Sequence, residues 1–286
     1  MTLAQRSLGN RTVSAIGLGA MPMSTGGEEA TSRARATIHA ALDAGVTLID
    51  TADCYAPDGT GLGHNERLVA DALASWDGDA SGVLVATKGG LRREGSDWPV
   101  DGRPEWIREA VEGSLERLGV EQIALYQHHR PDPAVDYAET IGAFRDLVDA
   151  GKVARVGLSN ADPGQIRLAN GILGDALVSV QNQFSPSFRS SLPELELCAE
   201  LGLAFLPWSP LGGISHAGEL GRQHAAFAEV ARKHDATPQQ VALAWELAQA
   251  ECVVPIPGAS RPESIRASVE ALQLTLDVFD LEALAG

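Results

Sequence analysis

A (β/α)8 TIM barrel, preceded by a β-hairpin and carrying extra helices, is the fold the sequence predicts. Three observations predict it. Eight short apolar runs recur at intervals of roughly 25–50 residues, helical patterns lie between them, and polar residues with chemistry to offer stand just after the runs. The chain of 286 residues suits eight strand–helix units in one domain, 1–286.

The elements follow in order. Gly9-Asn10 turns a hairpin between Ser7-Leu8 and Arg11–Val13. The strand-like runs are Ala15–Leu18, Val46–Ile49, Val83–Ala86, Ile123–Tyr126, Val153–Leu158, Leu177–Val180, Leu203–Leu206 and Cys252–Pro255. Helical patterns include Arg33–Ala44, Asn65–Ser75, Glu105–Leu118, Tyr137–Ala150 and Thr237–Gln249. The third has Pro104 in its first turn and stops at Gly119, the usual asymmetry of helix ends. Phe227–His234 adds a second helix before the eighth run, so one of that pair is an insertion. A doubly wound open sheet is the alternative, and it needs a glycine-rich turn opening a helix after its first strand. Here Gly17-Leu18-Gly19-Ala20-Met21-Pro22 lacks the third glycine and puts Pro22 where that helix would open.

Composition narrows the function. The formal net charge of −16 repels nucleic-acid phosphates and anionic lipid surfaces, so neither partner is expected. No run of about 18 apolar residues offers a membrane span, and MTLAQRSLGN lacks the apolar core of a secretory signal. Cys54, Cys198 and Cys252 lie far apart with no CxxC, against a disulfide framework or zinc ribbon and in favour of a cytoplasmic setting. No metal is expected.

Barrel geometry gathers the C-terminal ends of strands around one cavity. The second strand runs into Asp50-Thr51-Ala52-Asp53-Cys54-Tyr55, the third ends at Thr87-Lys88, and the fourth is followed by His128-His129-Arg130. Any one of these residues has an ordinary structural use; together they make coherent chemistry. A phenol is a weak acid with a pKa near ~10, and an ammonium beside it lowers that value. Asp50 would hold Lys88 charged, Lys88 would poise Tyr55, and an imidazole would stabilise charge on a substrate oxygen. Such a set protonates a developing alkoxide. The hydride must come from elsewhere, and a nicotinamide supplies one.

The segments LIDTADCY (48–55), GHNERLVADAL (63–73), VATK (85–88), LERLGVEQIALYQHHRPDP (115–133), GKVARVGLSN (151–160), SVQNQFSP (179–186), PWSPLGG (207–213) and VVPIPGASRPESI (253–265) together resemble the aldo-keto reductases over nearly the whole chain. The resemblance implies a barrel that binds NADP(H) or NAD(H) without a Rossmann fold and reversibly reduces aldehydes or ketones to alcohols. It implies Asp50, Tyr55, Lys88 and His129 as the catalytic set, with His128 packing or lining the pocket. Ser159, Asn160 and Gln181 would hold the nicotinamide carboxamide, which needs donors and acceptors alike. Trp208 would stack on the ring, and Ser209-Pro210-Leu211-Gly212-Gly213 would approach the pyrophosphate. Ile256, Gly258, Ser260 and Arg261 would line the adenosine end, with Arg261, or Arg266 a turn later, pairing with a 2′-phosphate. Ser264 stands where many NADP-preferring members carry a basic residue, and Ala267-Ser268 where they carry Glu-Asn. NADP(H) is the expected cofactor and NAD(H) the alternative.

A small-molecule carbonyl compound is the expected partner, pyridoxal being one candidate from the resemblance to short bacterial members. Pocket candidates are Met21, Met23, Cys54, Trp98, His128 and Arg130, with Leu91–Arg103 as a lid. Little chain follows the last helix before Gly286 to close the pocket, which points to an open site. Two other functions compete with carbonyl reduction. A cofactor-binding sensor with negligible turnover would use the same residues, and a metal-dependent hydrolase would use Asp50, Asp53, His128 and His129. The hydrolase leaves Lys88, one of only three lysines in the chain, without a purpose.

Overall fold

The computed structural model describes residues 3–213 and 217–285. Gly286, on which the expectation of a short C-terminal segment was based, and the first two residues of the N-terminal reading lie outside the described residues.

Strands β1 (Gln5–Leu8) and β2 (Arg11–Ser14) pair antiparallel, as expected, across the Gly9-Asn10 turn. Gly9 has φ +61°, and a Cβ there would meet Val178 Cγ1 at 2.5 Å, so both conformation and space require glycine. Strands β3 (Leu18–Gly19), β4 (Leu48–Asp50), β5 (Leu84–Gly89), β6 (Leu125–His128), β7 (Val156–Ser159), β8 (Leu177–Gln181) and β9 (Ala204–Phe205) form one parallel sheet in chain order. The fold is a (β/α)8 barrel.

The eighth apolar run closes the ring without becoming a laddered strand. Phe205 bridges Val253 on one side and Gly19 bridges Gly258 on the other. Val254 and Ile256 donate their N–H groups toward β9, to Phe205 O at 2.8 Å and Pro207 O at 3.3 Å. Toward β3 the residues are Pro255 and Pro257, which accept from Gly17 and Gly19 but have no N–H to return. The seam therefore carries half a ladder up to Ala259, whose N–H returns a bond to Gly19 O at 3.3 Å. Elsewhere the sequence runs mark the strands but, except at β9, end too early. β6 continues through Gln127, which faces a polar upper interior, and His128, which faces the surrounding helix.

Below, Leu8 and Val13 of the hairpin join Leu48, Leu84, Leu125, Val178, Ala204 and Val254 in one buried cluster. With residues from so many strands in contact, that cluster is the barrel interior, and the hairpin plugs its N-terminal end. A second layer packs outward-facing residues such as Val156, Leu158 and Val180 against Ile141, Phe144, Ile166 and Trp245 of the helices. The expected helices form over Ala34–Asp43, His64–Ala74, Pro104–Leu118, Tyr137–Asp149, Ala225–Lys233 and Pro238–Leu247. Helix Pro104–Leu118 ends on Gly119 in the left-handed conformation (φ +67°), and Thr237 with Gln240 closes a capping box on Pro238–Leu247. Among the described residues no helix is long and apolar enough to cross a membrane.

One buried ion pair fixes the segment after β4. Glu66 of helix His64–Ala74 is fully buried, accepts from Thr87 Oγ1 on β5 at 2.6 Å, and pairs with Arg117 Nε of helix Pro104–Leu118 at 2.5 Å. Arg117→Met leaves that carboxylate uncompensated and should lower stability by about 3–5 kcal/mol. Arg145→Ala removes an exposed pair with Asp149 and should cost less than about 1 kcal/mol. Urea denaturation of the two variants checks the contrast.

Candidate active site

Each candidate side chain stands at the C-terminal end of a strand because adjacent parallel strands end side by side. Asp50 ends β4, Lys88 lies near the end of β5, His129 follows β6, Ser159 ends β7 and Gln181 ends β8. They meet around a cavity of about 480 Å³.

Beneath it, Lys88 is wholly buried and places its ammonium 2.6 Å from Asp50 Oδ2. The other two Nζ contacts are Thr51 O at 2.9 Å and the Tyr55 hydroxyl at 3.3 Å. Asp50 Oδ1 accepts from Gln127 Nε2 at 2.9 Å and from Gln181 Nε2 at 2.8 Å. Every polar atom of the pair is matched, which a buried ion pair requires if it is to offset its desolvation. Gln127 was missing from the sequence-based set. Its only signal was position: a polar residue inside a strand, directly before two histidines.

Tyr55 and His129 are buried but line the cavity. Their rings meet edge-on at 5.6 Å. Burial, reinforced by Asp50 and by the neighbouring Cys54 and Asp53, pushes the Tyr55 phenol well above its usual range, with Arg130 opposing. That corrects the expectation that Lys88 lowers it. The ammonium is close, but its charge is matched by Asp50, and the phenol keeps its proton. Burial, then Lys88, Arg130 and His128, push His129 well below the usual imidazole value. Its Nδ1 lies 3.6 Å from Cys54 Sγ. Burial, then Asp53, raises the Cys54 thiol, so it carries an S–H that Nδ1 can accept. By this hydrogen-bond argument the ring proton sits on Nε2, available as a donor.

His128 turns the other way. It is fully buried, 5.6 Å from both Tyr137 and Phe144, and outside the cavity lining. Met23 and Cys54 are likewise buried without lining it, whereas Met21, Trp98 and Arg130 do line it. The expected lid is docked. Arg93 donates to Ala56 O at 3.0 Å and Asp58 Oδ1 at 2.8 Å and lies 5.2 Å from the Trp98 ring centre, while Trp98 stands 5.7 Å from the Tyr55 ring.

Of the proposed cofactor residues, Ser159, Asn160, Gln181, Trp208, Ser209, Pro210, Leu211, Ile256 and Gly258 line the same cavity. Gly212 does not, although Gly213 beside it does. Asn160 and Ser209 adopt left-handed φ angles of +59° and +52°, a strained conformation that clusters at ligand sites. Asn160 Nδ2 donates to His129 O at 3.1 Å and Ser159 Oγ at 2.9 Å. The Trp208 ring is half-buried. Gly19 and Gly258 let the walls close: a Cβ on Gly19 would meet Ile256 O at 2.8 Å. Ser260 and Arg261 fall outside the cavity, beyond which Arg261 stands exposed just before helix Pro262–Glu270.

The Aldo/keto reductase family model matches residues 15–285. "Probable aldo-keto reductase 1" of Glycine max is 36% identical over 271 residues, covering 85% of this chain and 76% of that protein. The 6-dehydroglucose reductase of Novosphingobium aromaticivorans is 34% identical over 282 residues, covering 95% and 91%. A solved aldo/keto reductase from Klebsiella pneumoniae, in complex with NADP and acetate, has a TM-score of 0.82 at 25% identity, covering 99% of this chain and 94% of that one.

Burial without a hydrogen-bond partner pulls His128 down to about 4. A histidine whose folded pKa is depressed binds fewer protons than the unfolded chain, so its cost to stability appears as pH falls from about 6.5 through about 4. His128→Phe should remove about 3 kcal/mol of acid destabilisation at the low end of that window and nothing above it. Denaturation midpoints of both proteins across the window check this.

Proposed function

Because the chain belongs to the aldo/keto reductase family, we propose that it is an NADP(H)-dependent carbonyl reductase in which Tyr55 delivers the proton. One observation carries the reading: the Tyr55 hydroxyl, in the wall of the cavity, touches an ammonium already paired with a carboxylate. It is the arrangement that hands a proton to a new alkoxide and then tolerates the phenolate left behind.

The residues at hand fit a nicotinamide cofactor. Strain at Asn160 and Ser209, the half-buried Trp208 in the cavity wall and the glycine-closed wall all fall on the positions expected to touch one. Bound there, the cofactor supplies the hydride that side chains lack. Ser159 and Asn160 offer hydroxyl and amide groups to its carboxamide. Gln181 has its amide nitrogen on Asp50, so it contributes its carbonyl oxygen and accepts. Trp208 orients the ring, and the backbone of Ser209-Pro210-Leu211-Gly212 approaches the pyrophosphate. Ile256, Gly258 and Ser260 take the adenosine end. Arg261 has no ion pair among the described residues and is free to hold a 2′-phosphate, which favours NADP(H) over NAD(H).

On the substrate side, His129 Nε2–H donates to the carbonyl oxygen and stabilises its growing charge. Tyr55 then gives up its proton, and Lys88 with Asp50 and its two amides stabilises the phenolate. Met21, Leu91 and Trp98 make the substrate wall apolar, and the docked loop excludes water from the reacting oxygen. The domain of residues 1–286 acts as one unit in this reading. Its three free thiols suit a cytoplasmic, reducing setting.

Tyr55→Phe removes the acid and little else. Turnover of NADPH with a panel of aldehydes and ketones should fall by about 10²–10⁴-fold, with NADPH affinity, read from cofactor fluorescence, unchanged within about threefold. Undiminished turnover in that variant would sink the mechanism. A wild-type protein that binds NADPH but turns over nothing would favour the sensor.

A further inference from the structure

Asp53 has no place in the reaction above, yet its carboxyl group lies completely buried beside it, and neither oxygen has a hydrogen-bond partner. Nearby cations are taken: Lys88 by Asp50 and Arg117 by Glu66. Next to Asp53 lies Cys54, also wholly buried, with its sulfur 3.6 Å from His129 Nδ1. One carboxylate oxygen, the thiol sulfur and a ring nitrogen all lie within 4.8 Å of one another.

These three donors suit one chemistry. A tetrahedral Zn²⁺ with Zn–S of ~2.3 Å and Zn–N of ~2.0–2.1 Å sets an S···N edge of about 3.5–3.6 Å. The Cys54–His129 separation already has that value. The carboxylate has to approach by roughly 1 Å, and no hydrogen bond holds it back. Thiolate, imidazole and carboxylate together select zinc and its heavier relative cadmium over magnesium or calcium. Of the three, His129 alone lines the cavity, which is the side from which an ion would arrive.

We propose that Asp53, Cys54 and His129 form an inhibitory site for a thiophilic divalent cation of the Zn²⁺ class. The ion replaces the thiol proton and the proton that burial keeps on the Asp53 carboxyl, both of which leave to solvent, and takes Nδ1 in place of the S–H contact. It carries two positive charges to the edge of a ring whose centre is 5.6 Å from that of Tyr55. An ion on Nδ1 ties the His129 ring to Cys54 and Asp53 and away from the oxygen that Tyr55 protonates, and reduction slows. The site is an occasional stop on turnover and takes no part in the steps proposed above. Its inhibitory effect rests on the proposed roles of Tyr55 and His129, whereas binding does not.

Titration of the full-length protein with Cd²⁺ alone, followed by thiolate-to-metal charge-transfer absorbance, tests binding directly. One Cd²⁺ per chain is expected, with the band retained in Cys198→Ala and Cys252→Ala and lost in Cys54→Ala and the near-isosteric Cys54→Ser. Asp53→Asn should weaken binding at least tenfold. Zn²⁺ alone should slow NADPH turnover of the wild type at least tenfold, with recovery on adding a chelator. A band that survives in both Cys54 variants, or no band in the wild type, overturns the site. A band that depends on Cys54 supports it even where no carbonyl turnover is found, so the site and the proposed activity fail separately.

Discussion

The buried pair of Lys88 and Asp50 is the constraint from which the rest of the site follows. Taking an ammonium and a carboxylate out of water costs several kcal/mol for each, and a single contact at 2.6 Å does not offset that. The barrel supplies the remainder from its ring of strand ends. Gln127 from β6 and Gln181 from β8 reach Asp50 Oδ1, and Thr51 O and the Tyr55 hydroxyl complete the ammonium. The polar crown above an apolar interior is thus the solvation shell of one ion pair. Loss of either glutamine would leave a charged oxygen short of donors.

The same pair explains why nearness to a lysine does not lower the Tyr55 pKa. From sequence, an ammonium beside a phenol predicts an easier ionisation. In the folded chain the carboxylate holds that charge, and burial decides the direction. The phenol remains an acid in its protonated form, which is what delivering a proton requires. In the proposed reaction Lys88 contributes to the anion left behind rather than to the tyrosine at rest.

Much of this was legible in the chain. The hairpin turn, the order of the strands and the gathering of Asp50, Tyr55, Lys88 and His129 were readable because parallel β/α units put consecutive strand ends side by side. Gln127 was not, since a polar residue in a strand signals a partner across the barrel only once that partner's position is known. The half-ladder at Pro255 and Pro257 was hidden by an apolar run that looks like any other. Cys54 read as a pocket residue because it precedes Tyr55, yet its side chain points to His129 Nδ1 beneath the surface. Ser260 and Arg261 stand outside the cavity that the other candidates share. Their tie to a cofactor rests on sequence pattern and on the exposure of Arg261.

Because the account turns on a phenol that keeps its proton, the most direct test is the pH dependence of kcat/KM in both directions on one carbonyl–alcohol couple. With Tyr55 raised above the ordinary value of ~10, carbonyl reduction should stay level through pH ~9, while alcohol oxidation, which needs the phenolate, should still be climbing there. A reduction rate that declines with an apparent pKa well below ~9 and is lost from the profile in Tyr55→Phe would contradict it, for the tyrosine would then be ionising easily under the influence of Lys88.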